Sequence, residues 1–375
     1  GTATGIMDEP MLRVWMQDPV PPTTMYDLRP GRWVGEEAWP STNVSERRYR
    51  LGHGRLLGSG EPEPDSEPLT IRSPLSVGLF AGKWCSYAAP PDLPHDQREE
   101  DGGALVFDSR PLAEPLEVLG APVVELDLAA DKPVAMVAVR LSDVAPDDKA
   151  TRVTYGLLNL THRDSHEHPE PLEPGRRYRV SVRLNEVAQS FPAGHRLRVS
   201  VSTSYWPLAW PPPGPVLLTI HPWGSALILP QRPPREADAD LPPFGEPEGA
   251  APLERTRLAP AEERWIVHRD LAADVSTLEV LKDEGICRIE KNGLEVARRT
   301  EEWYSFFDDD FGSVRGETRV EQSLRREGWA IRTVTRTVLT SSATHFRIRA
   351  QLDAYEGETR VDARDWDVAI PRELV

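Results

Sequence analysis

Three histidines and two carboxylates stand close together in the segment His162-Arg163-Asp164-Ser165-His166-Glu167-His168. Alternate side chains of an extended backbone point to the same side, so His166 and His168 are spaced to hold one divalent metal ion. Two prolines follow within three residues, which favours an irregular connection whose charged groups are solvated or pair with a neighbouring domain. We therefore predict no bound metal and assign four residues to a domain interface or cleft wall: His162, Arg163, His166 and His168.

The sequence contains none of the common motifs of nucleophilic catalysis. The nearest approach to a Gly-x-Ser-x-Gly elbow is Gly58-Ser59-Gly60, which has the wrong spacing and lacks the strand-to-helix setting that exposes the serine. The sequence also has no phosphate-cradling glycine loop, no His-Glu-x-x-His zinc helix and no Cys-x-x-Cys pair. A triad assembled from distant residues stays open, because such triads are recognised by geometry. We predict no catalytic residue and no cofactor in this chain.

Tryptophans cluster in the first part of the chain: Trp15, Trp33, Trp39, Trp84, Trp206, Trp210 and Trp223. Aromatic rings on a β-sandwich can stack on sugar rings, but they are more often core or interface residues. In the segment 206–213, prolines remove backbone donors and impose an extended conformation, which suits a loop facing another domain or a cleft. Trp206 and Trp210 are therefore predicted at a domain interface or cleft wall.

The composition excludes several classes of partner. With 44 basic and 60 acidic residues the net charge is -16, which gives no electrostatic basis for binding nucleic acid. No stretch approaches the roughly 20 consecutive apolar residues of a membrane span, so we predict no membrane partner. Cys85 and Cys287 cannot form a disulfide framework, which suits a reducing compartment and predicts a cytoplasmic location. The chain opens at Gly1 without an initiator methionine, so we expect a piece of a longer protein.

The distribution of proline divides the chain. Residues 1–254 hold 35 of the 37 prolines, a change too sharp for one uniform domain. The proline-rich stretch after residue 230 cannot form a helix interior or a central strand. We predict a β-sandwich over residues 1–232, a proline-rich linker over 233–260 and an antiparallel β extension over 261–375.

Strand patterns dominate the first domain. Residues 177–184 and 196–201 alternate between apolar and polar side chains, which predicts two half-buried strands lying beside each other. The continuous apolar runs 134–141 and 216–220 indicate strands buried between sheets. Helical patterns are few and short, the best covering 185–190. The pattern predicts an all-β sandwich of Greek-key or jelly-roll type.

The last part of the chain has the pattern of an antiparallel meander. Residues 346–352 alternate cleanly, and 329–339 are rich in threonine and valine. Glycine-containing turns at 291–293, 326–328 and 355–357 separate the predicted strands. Strands joined by such short turns are neighbours in an antiparallel sheet.

Four motifs, in order along the chain, resemble the C-terminal domain of the CocE/NonD hydrolases. This family includes Xaa-Pro dipeptidyl-peptidases and cocaine-esterase-like acyl hydrolases. The likeness covers roughly residues 5–232, and residues 365–372 look like the end of longer members. The motifs are Asp108-Ser109-Arg110-Pro111-Leu112, Gly120-Ala121-Pro122-Val123-Val124, Leu158-Asn159-Leu160-Thr161-His162-Arg163 and Phe191-Pro192-Ala193-Gly194-His195-Arg196-Leu197-Arg198.

The resemblance implies a division of labour between domains. In the family, an α/β-hydrolase domain carries a Ser-Asp-His triad that hydrolyses an amide or ester through an acyl-serine intermediate. A galactose-binding-like jelly roll follows that domain and packs against it. Residues 4–10 look like the segment just after the catalytic domain, and no position of this chain matches the triad motifs. The implied partner is therefore an α/β-hydrolase catalytic domain of the same parent protein.

We predict that the chain is the non-catalytic C-terminal β region of a serine hydrolase, packing on the catalytic domain and shaping its cleft. Separated from that domain, it should expose a contiguous apolar patch. The alternative is a stand-alone carbohydrate-binding jelly roll with a tryptophan-lined face. A metal-dependent enzyme centred on His162, His166 and His168 is a third interpretation. For residues 261–375, an extension of the sandwich and the subunit contact of a homodimer both stay open.

Overall fold

The computed structural model describes residues 5, 7, 9–62, 67–84, 91–246 and 248–375. Strands account for 51% of the protein and helices for 4%, which confirms the predicted all-β class. The described residues divide into two compact units, of which the first runs to Gly245 and the second spans Glu246–Glu373. Cys85 and part of the opening segment 4–10 lie outside the described residues. Cys287 is a half-buried free thiol.

The first unit is built from short strands joined by long loops. Its strands are β1 (Leu12–Gln17), β2 (Gly31–Glu36), β3 (Ser45–Leu51), β4 (Leu56–Leu57), β5 (Leu69–Ile71), β6 (Leu105–Asp108), β7 (Leu116–Gly120), β8 (Val123–Ala130), β9 (Met136–Val144), β10 (Ala150–Asn159), β11 (Arg177–Arg183), β12 (Val187–Phe191), β13 (Arg196–Ser202), β14 (Leu218–Ile220) and β15 (Ala226–Gln231). Helical segments are α1 (Arg98–Asp101) and the 3-10 helices Leu160–His162, Pro222–Gly224 and Glu236–Asp240. No helix in the described part of the chain is long and apolar enough to cross a membrane.

These strands form a larger and a smaller sheet that share one core. The larger sheet follows the order β2-β1-β12-β7-β15-β8-β14-β5, with β11 also paired to β8 and β3 to β15. The smaller sheet follows the order β10-β9-β13-β6. Neighbours are antiparallel except β1 and β12, which meet at Gln17 and Gln189 in parallel. Apolar side chains of both sheets meet in a single buried cluster, so the predicted sandwich is confirmed.

Two predictions about local pairing were wrong. The alternating segments 177–184 and 196–201 are strands, but β11 pairs with β8 in the larger sheet while β13 pairs with β9 and β6 in the smaller one. They contribute to the same core from opposite sheets, because alternation specifies a buried face and not a hydrogen-bonding partner. The segment 185–190, predicted as a short helix, instead forms most of β12, whose backbone pairs with β7.

An ion pair between the exposed Arg177 and the buried Asp127 ties β11 to β8 and makes the first unit sensitive to acid. The Arg177 guanidinium donates hydrogen bonds to the Asp127 carboxylate, with Nε 3.1 Å from Oδ1, and this partner holds the pKa of Asp127 below its usual range. A carboxyl whose pKa is lower in the folded state stabilises the fold above its unfolded pKa of about 3.9 and loses that contribution as the pH falls.

We therefore expect the Asp127→Asn variant to be less stable than the wild type at pH 7, with the difference shrinking below about pH 4. Urea unfolding followed across this pH range measures the difference directly. Asp131→Asn is the matched control: its exposed carboxylate lies 4.0 Å from Lys132, and asparagine can still accept the hydrogen bond that Leu217 N–H donates to Oδ1 at 2.8 Å. A stability difference that stays constant from pH 7 to pH 3 would contradict the assignment.

The second unit is a sheet of its own. Its strands are β16 (Arg255–Ala259), β17 (Glu262–Asp270), β18 (Val275–Ile289), β19 (Leu294–Phe307), β20 (Arg315–Arg326), β21 (Trp329–Ser341), β22 (His345–Glu356) and β23 (Thr359–Pro371). From β18 to β23 each strand pairs antiparallel with the next, which confirms the predicted meander. These strands do not join either sheet of the sandwich. A homodimer contact stays a prediction.

The segment 233–260, predicted as a linker, contains ordered elements at both ends. The 3-10 helix Glu236–Asp240 is held in the first unit because Arg232 donates to the Asp238 carboxylate at 2.7 Å and to Glu36 at 2.6 Å. At the other end, β16 pairs with β18 in the second sheet. The described residues between them carry no regular secondary structure.

Candidate functional site

The smaller sheet has an outer side that is covered by loops. Residues alternate along β9, so Met136 and Ala138 face away from the shared core, as Tyr155 of β10 does. Val77 and Ala81 from the loop 74–84 pack on this side, and so does Tyr205 from the loop 203–210, with all of these residues buried. We call this layer the outer face, defined by Val77, Ala81, Met136, Ala138, Tyr155 and Tyr205.

A buried charge network fixes the loop 74–84 onto the outer face. Glu100 of α1 accepts hydrogen bonds from the backbone N–H groups of Gly78 and Phe80. Its carboxylate lies 3.4 Å from the Arg140 guanidinium of β9, and both side chains are almost fully buried. Burial raises the pKa of Glu100, while Arg140 opposes that rise. The helix α1 therefore holds the loop to the sheet through charge-assisted hydrogen bonds.

Trp206 and Trp210 lie in the second loop of the outer face. Trp206 is only 2% exposed and Trp210 is half-buried, with their rings 4.9 Å apart in an edge-to-face arrangement. The backbone of Trp206 passes Gly78 so closely that a Cβ there would lie 2.2 Å from the Trp206 carbonyl oxygen. Trp206 is therefore part of the packing within its own unit, and its indole is not available to stack on a ligand.

Apolar side chains are exposed beside the outer face. Trp84 is 75% exposed, and its backbone oxygen accepts a hydrogen bond from the Tyr155 hydroxyl at 3.0 Å. Leu157 follows Tyr155 by two residues along β10, on the same side of the strand, and is 38% exposed. Exposed tryptophan and leucine next to a buried aromatic layer are typical of a surface that another protein covers.

The histidine segment follows β10 at one end of the smaller sheet. His162 ends a 3-10 helix, and its Nδ1 lies 3.4 Å from Nδ1 of the exposed His166. His168 is also exposed, with its backbone N–H donating to Ser165. The described residues contain no group of three or more His, Cys, Asp or Glu side chains arranged to hold a metal ion.

Arg163 has a different surrounding from the histidines on either side. Its side chain is largely buried, and Nη1 donates to the backbone oxygens of Leu160 at 3.1 Å and Glu170 at 2.8 Å. The guanidinium lies over the Tyr178 ring, 4.6 Å from its centroid. These contacts tie the loop that carries the histidines to β11, so Arg163 positions the loop. Its assignment to a domain interface stays a prediction.

Sequence reasoning missed an imidazole–carboxylate pair in the motif that contains His195. Nδ1 of His195 lies 2.9 Å from Oδ1 and 3.0 Å from Oδ2 of Asp143, which is buried on β9. Burial raises the pKa of the Asp143 carboxyl, and its hydrogen bond with His195 opposes that rise. The pair borders a cavity of about 380 Å³ that is also lined by Thr151 and by prolines of the segment 19–22.

This pair has two of the three groups of a hydrolase triad but no positioned nucleophile. The lining of its cavity includes no serine or cysteine among the described residues, and the Thr151 hydroxyl donates to the backbone oxygen of Val20 at 2.8 Å. The backbone N–H of His195 closes the turn 192–195 by donating to the Pro192 oxygen at 3.3 Å, and the His195 oxygen accepts from the distant N–H of Leu112 at 2.8 Å. The arrangement anchors the turn before β13. Fifty-two residues separate the partners, so no local pattern could have revealed them.

Comparison with known proteins identifies a family for the first unit. A family model for the X-Pro dipeptidyl-peptidase C-terminal non-catalytic domain matches residues 4–233. The cocaine esterase of Rhodococcus sp. (strain MB1 Bresler) is 24% identical over 204 residues, which cover 50% of this chain and 35% of the esterase. The chain thus spans about a third of the length of this curated relative.

Solved structures that resemble part of this chain include an aminopeptidase from a marine sediment archaeon, Thaumarchaeota archaeon, with a TM-score of 0.48 and 20% identity, covering 54% of this chain and 39% of that one. An alpha-amino acid ester hydrolase has a TM-score of 0.46 and 23% identity with the same coverage. The match of the family model extends over the whole sandwich, from before β1 to the end of β15. The chain belongs to the family of X-Pro dipeptidyl-peptidase C-terminal non-catalytic domains, the C-terminal region of CocE/NonD-like hydrolases.

Proposed function

We propose that the sandwich packs on the α/β-hydrolase domain of a serine hydrolase and forms one wall of its catalytic cleft. The family match over residues 4–233 carries this proposal, because the matched domain is the non-catalytic partner of a catalytic domain. The parent activity is hydrolysis of an ester or of an amide such as an X-Pro peptide bond. Within this arrangement the present chain supplies shape and apolar surface, and the nucleophile belongs to the partner domain.

The outer face is the surface that we assign to this contact. Trp84 and Leu157 expose apolar area beside it. The loop 74–84 that covers it is held by hydrogen bonds from its backbone to the Glu100 carboxylate. Exposed aromatic anchors on a rigid support contribute most of the binding free energy in protein interfaces. The burial of Trp206 removes one ring that the carbohydrate-binding alternative needs.

Two finer assignments belong to the same proposal. The sandwich is of the galactose-binding-like jelly-roll type, supported by the family match and by antiparallel sheets around one core. The protein acts in the cytoplasm, supported by the low cysteine content. Titration of oligosaccharides followed by tryptophan fluorescence tests the rival module, and saturable binding would favour it over the present proposal.

The central experiment tests whether the two domains associate when they are supplied as separate polypeptides. The α/β-hydrolase domain encoded in the same gene or operon is purified alone and mixed with the 375-residue chain. We expect a one-to-one complex in sedimentation velocity, with hydrolysis of an activated ester by the complex and none by the chain alone. Trp84→Ser and Leu157→Ser should each weaken the complex by about tenfold or more, because they remove apolar anchors.

The matched control is Trp223→Ser, an exposed tryptophan on a 3-10 helix next to the larger sheet. We expect this variant to bind the catalytic domain as the wild type does. Absence of a hydrolase domain from the gene and its neighbours would contradict the proposal, as would failure of the two polypeptides to associate. Ester hydrolysis by the chain alone would place the nucleophile in the sandwich and overturn the division of labour.

A further inference from the structure

A second cavity of the first unit, of about 240 Å³, is lined by two arginines, Arg29 and Arg152. It lies between the loop 18–30, the first half of β10 and the start of β12. Its polar lining comes from Gln17, Thr23, Tyr26, Arg29, Thr151, Arg152, Thr154, Asn185 and Glu186. Its apolar lining comes from Leu93, Pro94, Val153, Tyr155 and Val187. A concave site with an apolar wall and a few convergent polar groups is typical of small-molecule binding.

Arg29 is a half-buried cation with neutral partners. Its Nη2 donates to the Gln189 side-chain oxygen at 3.2 Å, and its guanidinium lies 5.0 Å from the Tyr26 ring centroid. Nε is buried and has no hydrogen-bond acceptor in the described residues. Within that same part of the chain, no carboxylate oxygen lies within the 4.0 Å of an ion pair with Arg29. Burial accordingly lowers the pKa of Arg29.

Arg152 provides a second cationic group in the same lining. Its Nη1 donates to the Tyr205 hydroxyl at 2.7 Å, and its guanidinium lies 4.4 Å from the Tyr155 ring centroid. Among the described residues it too has no carboxylate at ion-pair distance. Both guanidinium groups therefore contact aromatic rings and neutral oxygens. A carboxylate would be a stronger hydrogen-bond partner for either of them.

Other buried arginines of the sandwich are paired with carboxylates. Arg140 lies 3.0 Å from Asp101, Arg198 lies 2.7 Å from Asp108, and Arg232 lies 2.6 Å from Glu36. Pairing of this kind offsets the cost of removing a guanidinium from water. Arg29 and Arg152 lack such a partner among the described residues, and both border the same cavity. An external anion would supply the missing partner.

The acidic groups near the cavity do not satisfy these arginines. Glu186 borders the cavity, but its carboxylate pairs with the exposed Arg183 at 2.8 Å. Asp143 influences the pKa of Arg29 from beyond ion-pair distance, and its carboxylate is hydrogen-bonded to His195. Burial raises the pKa of Glu100 and Arg152 helps to lower it, but that carboxylate is hydrogen-bonded to the backbone of Gly78 and Phe80 and paired with Arg140. Leu93, Pro94 and Val187 offer an apolar wall.

We propose that this cavity binds a small organic carboxylate, with the carboxylate at Arg29 and Arg152 and an apolar or aromatic tail against Leu93, Pro94 and Val187. We assign the anion to the guanidinium groups because a charged donor forms stronger hydrogen bonds with a carboxylate than with neutral oxygens. The size of the cavity limits the tail to about one ring or a short branched chain. This binding does not require the catalytic domain, so it can fail or succeed independently of the proposed docking.

The test uses the complete 375-residue chain and the probe pair 3-phenylpropionate and 3-phenylpropionamide, which differ in charge and hardly in shape. Isothermal titration calorimetry should show saturable binding of the acid and at least about tenfold weaker binding of the amide. Arg29→Gln and Arg152→Gln should each weaken binding of the acid by a similar factor. Arg176→Gln is the matched control, since this exposed arginine pairs with Glu173 away from the cavity.

A stability measurement separates a binding role from a structural one. Arg29→Gln removes a desolvated cation, so we expect its unfolding temperature to equal or exceed that of the wild type. Equal binding of acid and amide, unchanged binding by both glutamine variants, or no binding of the acid would each overturn the proposal. The last result, combined with protection of Arg29 in the two-domain complex, would identify a carboxylate of the catalytic domain as the occupant instead.

Discussion

Replacing Arg140 by methionine is expected to lower the free energy of unfolding of the sandwich by about 3 to 5 kcal/mol. The guanidinium is 1% exposed and lies within 3.4 Å of Glu100 and 3.0 Å of Asp101. Methionine preserves much of the side-chain volume but leaves the buried Glu100 carboxylate without its cation. An uncompensated charge in the interior costs far more than the loss of a solvated pair. Urea unfolding monitored by tryptophan fluorescence measures the change.

Arg183→Met provides the matched control for Arg140. It removes an arginine of β11, in the larger sheet, whose side chain is 70% exposed and whose partner Glu186 is also exposed. A surface pair of this kind contributes at most about 1 kcal/mol. If the two variants lost similar stability, the network of Arg140 would not be what holds the loop 74–84. The double variant Arg140→Met, Glu100→Gln should recover part of the loss, because it removes the unpaired charge as well.

Replacing Gly78 by alanine is expected to lower the free energy of unfolding by about 2 to 4 kcal/mol. Gly78 has a φ of 119°, which a residue with a Cβ rarely adopts. The added Cβ would also lie 2.2 Å from the carbonyl oxygen of Trp206 and 2.6 Å from the carbonyl carbon of Tyr205. Both contacts are with backbone, so the loops of the outer face must separate. Thermal and urea unfolding measure the loss of stability.

Gly214→Ala is the control for Gly78, because nothing lies within 4 Å of a Cβ at position 214 and its φ is not positive. We expect this change to be neutral or to stabilise the protein by up to about 1 kcal/mol, through the unfolded chain. The Gly78 variant should also bind the catalytic domain more weakly, since the outer face is displaced. Normal stability of Gly78→Ala would show that the two loops are not in tight contact.

The sequence reveals most about the second unit, because its contacts are local. Each strand from β18 to β22 is followed in the chain by the strand it pairs with, so the turns at 291–293, 326–328 and 355–357 predict the pairing as well as the strands. The strand pairing of the sandwich is harder to predict from the sequence. Alternation in 177–184 reveals a strand with one buried face, but the choice between the larger and smaller sheet depends on residues far away in the chain.

The candidate sites show the same division between local and distant information. The sequence alone determined the all-β class, the meander, the family resemblance and the lack of a nucleophile motif, since periodicity and short motifs record those properties. Only the tertiary structure decided that Trp206 is packing, that His195 meets Asp143, and that Arg29 lacks the carboxylate that Arg140 has. Burial and charge pairing depend on which side chains the sheets bring together, and sequence spacing does not specify that.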